Sequence, residues 1–171
     1  MIEMKVMGIA LDTRTGSPIV VLHDKNNRKA LPIWIGSAEA SAIIRKIENL
    51  KVTRPMTHDL FINLIEKTGY KLDKIEINDV EKETYYATLF LSDETGKVVE
   101  IDARPSDAIA VAIRADAPIF VTTNVISNGS VSTDSAKDEE EAQEFKKFVQ
   151  SIKPSDFDKL MRDTDQFESD Q

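Results

Sequence analysis

The chain contains no cysteine among its 171 residues, and this absence removes several kinds of chemistry at once. Disulfides, thiolate zinc sites and cysteine nucleophiles are all excluded. Aromatic residues are also scarce, with 7 Phe, 3 Tyr and 1 Trp. A hydrophobic core built from this sequence must therefore depend mainly on Ile, Val, Leu and Ala side chains.

Long apolar runs are missing as well. No stretch approaches the roughly 18 consecutive apolar residues that a membrane-spanning helix needs. The first residues, Met1 to Lys5, do not show the basic segment followed by an apolar segment that marks a secretory signal. We therefore expect a cytoplasmic protein that does not associate with membranes.

The chain also lacks the basic stripe that tight nucleic-acid binders carry. Its formal net charge is −8. Residues 134–171 hold 12 acids and 6 bases, a net of −6, whereas residues 1–133 hold 18 acids and 16 bases, a net of −2. Nucleic acid would have to meet a local positive patch or a bound cation. The shift in composition predicts a main domain at 1–133 and an acidic helical C-terminal extension at 134–171 with a frayed end.

What the sequence does contain is an internal similarity. The segment 33–44 (IWIGSAEASAII) returns as the segment 101–112 (IDARPSDAIAVA). Each copy has an alternating apolar run, a corner, a hydroxyl residue, an acid two residues on and an Ala/Ile-rich helical pattern. Similarity of this kind indicates a supersecondary unit that is used twice. It also places Glu39 and Asp107 at equivalent strand-to-helix corners.

The pattern along the chain predicts an α+β fold of two internally duplicated strand-strand-strand-helix units with largely antiparallel sheets, followed by C-terminal helices. The expected strands lie at 3–11, 18–23 and 29–35 in one unit and at 71–80, 84–91 and 97–103 in the other. Residues 124–137 are rich in Asn, Ser, Thr and Asp, and they indicate a loop. We expect the two units to pack with their corners facing a common cleft.

Acidic residues stand at both equivalent corners. Glu39 falls in the first turn of a predicted helix, where it would complement the helix dipole or take part in chemistry. In the second copy, Asp102 and Asp107 flank Arg104. Carboxylates of this kind suit a hard cation such as Mg²⁺. An Asp–Arg pair with an N-terminal cap is the structural alternative.

A third charged cluster, Arg54, His58 and Asp59, crowds the start of a helix predicted at 58–67. Free backbone N–H groups at a helix start favour anions such as phosphate. His58 could ligate a metal or shuttle a proton. A capped and solvated helix start is the alternative.

These three clusters resemble the bifunctional nuclease domain family. The resemblance rests on LPIWIG followed by Glu39, on RPMTHDL, and on DARPSDAIA with APIFV shortly after, and it covers about residues 4–125. It implies the compact α+β fold of the bacterial members. By analogy with plant relatives, it also implies hydrolysis of phosphodiester bonds in RNA and DNA.

The resemblance and the clustered charges together suggest a divalent-metal-dependent nuclease. In this hypothesis Glu39, Asp102 and Asp107 hold a Mg²⁺ or Mn²⁺ ion, which polarises the phosphate and activates a water. Arg54 and Arg104 bind phosphate oxygens in the same hypothesis. His58, oriented by Asp59, handles protons.

A non-enzymatic module that binds a protein partner or a small anion is the alternative, because an acidic chain does not steer nucleic acid toward itself. A homo-oligomer is a further expectation. Either the strand edge at 3–11 or the apolar stripe of Phe145 and Phe148 could support it.

Overall fold

The computed structural model describes residues 1–129 and the backbone of residues 131–132. These residues form one sheet of eight strands and four helices. The α+β class predicted from the sequence is confirmed. None of the helices within this part of the chain has the length and hydropathy to cross a membrane.

Three strands and two helices make up the first half: β1 (Ile2–Leu11), β2 (Pro18–Asp24), β3 (Lys29–Trp34), α1 (Ser37–Ile47) and α2 (Thr57–Lys67). The second half continues with β4 (Tyr70–Glu81), β5 (Thr84–Asp93), β6 (Val98–Ala103), α3 (Pro105–Ala115), β7 (Ile119–Val121), α4 (Thr123–Gly129) and β8 (Val131–Ser132).

The strand order β6-β5-β4-β7-β1-β2-β3-β8 places the short strand β7 between the two halves. Consecutive strands of each half pair antiparallel. Strand β7 pairs antiparallel with β1 and parallel with β4. The two sets of three strands therefore belong to one continuous, largely antiparallel sheet. The order of three strands and a helix occurs twice, as the sequence pattern predicts, and an origin by duplication stays a prediction.

Helices α1 and α3 begin in the same way. Gly36 is the N-cap of α1 and Arg104 is the N-cap of α3, both with extended backbone. Pro105 opens α3, a position where its fixed φ and missing N–H suit a helix. Glu39 and Asp107 are consequently both the third residue of their helix, where a negative charge is favourable.

Helix α3 is the central helix of the domain. It contacts α1, α2 and strands β4 and β5. Its residues Ala108, Ala110 and Ala112 are fully buried, and these small side chains allow close packing on several sides. Within residues 1–129 the buried apolar core consists of Ile, Val, Leu and Ala with one Met and no aromatic side chain. The composition predicts such a core.

The loop predicted at 124–137 is wrong in its first part, because α4 occupies Thr123–Gly129. Val125 and Ile126 are buried against the sheet, and their burial outweighs the weak helix propensity of the surrounding Asn, Ser and Thr residues. The predicted extension at 134–171, the C-terminal helices and the stripe of Phe145 and Phe148 lie outside the described residues. The domain division at residue 133 therefore stays a prediction.

Candidate functional site

Arg104 joins the two equivalent corners. Its Nε donates to Asp107 Oδ2 at 2.7 Å, and its Nη2 donates to Glu39 Oε1 at 2.9 Å. These bonds raise the pKa of Arg104, and Asp107 contributes more than Glu39. Because the Arg104 side chain is 66% exposed, the two ion pairs add little to stability. Their main effect is to fix the position of the guanidinium.

His58 lies against the other oxygen of the same carboxylate. Its Nε2 is 3.0 Å from Asp107 Oδ1, and its side chain is only 14% exposed. Asp107 thus contacts a ring from α2 with one oxygen and the guanidinium of Arg104 with the other. When the neutral ring carries its proton on Nε2, Nδ1 is left as a proton acceptor.

Asp59 has a different partner from the one predicted. Its Oδ1 accepts from Arg114 Nε at 2.7 Å, and its Oδ2 accepts from the Met56 backbone N–H at 3.0 Å. Arg114 also donates to main-chain carbonyls of α1 and α3. Burial of the Asp59 carboxylate opposes its ionisation, but the bonds from Met56 and Arg114 lower its pKa. Asp59 therefore links helices through its ion pair with Arg114, and Asp107 is the residue that contacts His58.

Gly36 makes room for the carboxylate of Glu39. A Cβ atom at position 36 would collide with Glu39 Oε2. The backbone of Gly36 is extended, so its conformation alone does not require glycine. A side chain here would instead displace the flexible carboxylate of Glu39 from its present position. The sequence shows a glycine at the corner but not this contact.

The pair of His58 and Asp107 borders a cavity of about 420 Å³, which we call the site cavity. Its polar lining consists of Thr57, His58, Asp102, Arg104 and Asp107, and its apolar lining consists of Phe61, Leu89, Ile101, Ala103 and Val111. An apolar cavity with a few convergent polar groups is the usual form of a ligand site.

Of the other predicted site residues, some line the site cavity and some do not. Asp102 lies on β6 opposite Thr88 of β5, and it lines the site cavity. Arg54 is exposed and is not part of the cavity lining. Among residues 1–129 there is no group of three His, Asp or Glu side chains that could hold a metal ion. Glu39 and Asp107 do converge, but on the guanidinium of Arg104.

The fold and the site define an α+β domain in which two helix starts share one arginine beside a histidine–aspartate pair. The family model of the bifunctional nuclease domain matches residues 20–134. The chain therefore belongs to the bifunctional nuclease domain family.

Three relatives illustrate the match. An uncharacterised protein of Mycobacterium tuberculosis is 34% identical over 163 residues, which cover 91% of this chain and 97% of that protein. Bifunctional nuclease 2 of Oryza sativa subsp. japonica is 32% identical over 125 residues, which cover 70% of this chain and 38% of that protein. Bifunctional nuclease 1 of Arabidopsis thaliana is 29% identical over 125 residues, which cover 67% of this chain and 38% of that protein. The plant proteins thus extend well beyond the region that they share with this chain.

Proposed function

We propose that this chain is a nuclease that hydrolyses phosphodiester bonds in RNA, DNA or both. Membership of the family and the plant relatives called bifunctional nucleases support this proposal. The observation that carries it is the contact of His58 with Asp107, which lies beside Arg104 in the site cavity. This arrangement places a proton acceptor, His58, close to a cation that can bind phosphate, Arg104.

In the proposed reaction, a water attacks the phosphorus and gives its proton to His58 Nδ1, the bond from phosphorus to the leaving oxygen breaks, and the leaving oxygen takes a proton from the solvent. Asp107 holds the proton on Nε2 and balances the positive charge that develops on the ring. The apolar side chains of Phe61, Leu89 and Val111 line the same cavity, and low-dielectric walls of this kind strengthen these charge interactions.

Arg104 binds the phosphate oxygens in this reaction. A guanidinium has more N–H donors than its two bonds to Asp107 and Glu39 use. The remaining donors can meet a phosphate, and the positive charge stabilises the oxygens as negative charge develops on them. Glu39 and Asp107 orient the guanidinium before the substrate arrives.

The predicted site of three carboxylates around a metal ion does not fit this arrangement. The guanidinium of Arg104 already pairs with both Glu39 and Asp107, and among the described residues Asp102 does not complete a group of three side chains that could hold a metal ion. We therefore derive no step through a metal. Dependence on Mg²⁺ or Mn²⁺ stays a prediction, and cleavage assays with EDTA and with each ion restored will decide it.

Cleavage of labelled single-stranded RNA and DNA oligonucleotides by His58→Gln tests the proposed function. We expect cleavage to fall about a hundredfold or more, because a general base typically contributes factors of this size. His23→Gln is the matched control, since His23 is the other of the 2 histidines and lies on β2 outside the site cavity. A folded His58→Gln protein that cuts at the wild-type rate would refute the assignment.

The binding-module alternative predicts a different result. In that case the wild-type protein binds oligonucleotides or small anions but shows no turnover with either nucleic acid under any metal condition. Mass spectrometry of the recovered oligonucleotide distinguishes binding from cleavage.

A further inference from the structure

A second cavity, of about 220 Å³, borders the same turn of α2. Thr57 and His58 line the site cavity, whereas Met56 and Asp59 line this second cavity. Its lining contains the cationic side chains of Arg45, Lys46, Lys51 and Arg114 and the single carboxylate of Asp59. We call it the basic cavity.

The positive charge of the basic cavity is largely unneutralised. Asp59 and Arg114 form an ion pair with each other at 2.7 Å. Arg45, Lys46 and Lys51 form no ion pair with the acids of residues 1–129. This leaves three cations around one concave space in a chain whose net charge is −8.

Arg45 gives a second, independent indication of a ligand. Its Nε is buried and has no hydrogen-bond acceptor among the described residues. A buried donor without an acceptor is unfavourable, and native proteins rarely leave one unsatisfied. Arg45 also lines the basic cavity, so a small shift of its side chain would bring this donor to an oxygen-rich anion held there.

The chemistry of the lining favours a phosphate group. Arginine binds phosphate oxygens through two parallel N–H bonds, and lysines add point charges from other directions. The volume of about 220 Å³ is large enough for one phosphate group with its nearest substituents.

We propose that the basic cavity binds a phosphate group, and that during catalysis this is a backbone phosphate of the strand whose scissile bond lies in the site cavity. The assignment to a nucleic-acid strand rests on the nuclease proposal, whereas phosphate binding itself does not. Residues 56–59 line one cavity or the other, so the two cavities lie on neighbouring sides of the start of α2. A single strand that bends around this helix start would occupy both. The basic cavity is also the local positive patch that an acidic chain needs in order to bind a polyanion.

Charge-neutralised variants test this inference. The cavity variant carries both Arg45→Gln and Lys51→Gln, and the control variant carries both Arg28→Gln and Lys67→Gln. The control pair makes the same change in charge at exposed positions that line neither cavity. The probe is a fluorescent single-stranded oligonucleotide with uncleavable phosphorothioate linkages, titrated at several salt concentrations.

We expect the affinity of the cavity variant to fall about tenfold or more. Its plot of log affinity against log salt should become shallower by about 0.7 for each phosphate that the variant no longer neutralises. The control variant should stay close to the wild type in both quantities. Arg45→Lys keeps the charge but removes the paired donors, so it should retain the salt slope with weaker binding.

A small probe separates the two sources of phosphate. Inorganic pyrophosphate is titrated by calorimetry into the same proteins. If the cavity variant no longer binds pyrophosphate but binds the oligonucleotide with unchanged affinity and slope, the basic cavity takes a free phosphate compound and the strand assignment is overturned. If both probes bind the cavity variant as they bind the wild type, or neither binds the wild type, the whole inference is overturned.

These results are independent of the nuclease test. A wild-type protein that binds the uncleavable oligonucleotide through Arg45 and Lys51 but never cleaves ordinary RNA or DNA oligonucleotides would refute the proposed function and retain phosphate binding. A protein that cleaves but shows no effect of the cavity variant would refute only the phosphate-binding inference.

Discussion

Asp107 is the residue on which the site depends most, because each of its two oxygens has a separate partner. Oδ1 contacts His58 and Oδ2 accepts from Arg104. A carboxylate can accept at both positions, whereas an amide presents one acceptor and one donor. An amide at this position must therefore place its NH₂ group against either Arg104 or the ring.

Asp107→Asn should thus reduce cleavage strongly while leaving the fold intact. We expect a decrease of about 10²–10⁴ in kcat, the range seen when a catalytic histidine is deprived of its orienting acid. The change removes a negative charge from the first turn of α3, which costs about 0.3–1 kcal/mol. Single-turnover cleavage and urea unfolding measure the two effects. A decrease of several kcal/mol in stability would show that Asp107 acts mainly as a structural residue.

Gly36 provides a second test at the scale of single residues. Gly36→Ala places a Cβ where the Glu39 carboxylate lies and should displace that carboxylate from Arg104. We expect it to reduce cleavage to the level of Glu39→Gln, with a decrease in stability below about 1 kcal/mol for alanine at an N-cap. The protein with both Gly36→Ala and Glu39→Gln should cleave as well as either single variant, because both changes remove the same interaction, that of Glu39 with Arg104. Additive effects in the cleavage assay would contradict this explanation.

At the scale of elements, three helices meet at the ion pair between Asp59 and Arg114. Arg114 belongs to α3, its side chain is 8% exposed, and it also donates to the carbonyl of Ala42 in α1. Asp59 caps the start of α2 through the N–H of Met56. This cluster keeps the start of α2, which carries His58, in a fixed place against α1 and α3.

The cluster predicts a pH dependence of stability. The pKa of Asp59 is lowered in the folded protein from its ordinary value of 3.8, since its hydrogen bonds outweigh the effect of burial. Its contribution is therefore complete above the unfolded value and is lost as the pH falls through the folded value. Asp59→Asn should remove about 1 kcal/mol at neutral pH, after discounting for partial exposure, and very little at a pH well below the folded value. Urea unfolding at both pH values checks this, and an equal effect at both would contradict it.

At the scale of the whole molecule, β7 holds the two halves together. Its residues Ile119 to Val121 pair with both β1 and β4, and Ile119 and Val121 are buried. Neither set of three strands pairs directly with the other set within the described sheet order. The halves should accordingly unfold as one cooperative unit.

Ile119→Ala tests this cooperativity. We expect a decrease in stability of about 2–5 kcal/mol, because a buried isoleucine is replaced by a much smaller residue. Fluorescence of Trp34, which lies in β3, should report the same transition midpoint as hydrogen exchange of β5 in the other half. Separate midpoints for the two halves in the wild-type protein would show that β7 does not couple them.

Much of the fold can be predicted from the sequence because strand alternation and hairpin chemistry are local signals. Strands β1 to β6 and helix α2 lie close to the expected ranges. Helix α4 escapes such a prediction since its stability comes from the tertiary burial of Val125 and Ile126, which a polar stretch of sequence does not reveal.

The sequence predicts His58, Arg104 and Asp107 as candidate site residues, and the structure brings these three together, but the sequence does not predict their pairings. The internal similarity indicates that Glu39 and Asp107 are equivalent, but it does not reveal that Arg104 bonds to Glu39, which is 65 residues away in the sequence. Adjacency in sequence suggests that Asp59 orients His58. Adjacent residues on a helix do not face each other, so helix geometry alone argues against that pairing. The basic cavity combines the end of α1 with Arg114 of α3 and has no local signal.

The position of β6 at the border of the sheet has a consequence for work with this protein. Its outer backbone groups are unpaired in the described order, and Val98 and Ile101 are exposed along it. Charged side chains on border strands prevent other chains from adding to the sheet. Glu100 and Asp102 supply that protection here. Neutralisation of Asp102 should therefore promote self-association through the edge of β6. Turbidity or early elution in size-exclusion chromatography would then indicate the loss of this protection rather than the removal of a catalytic group.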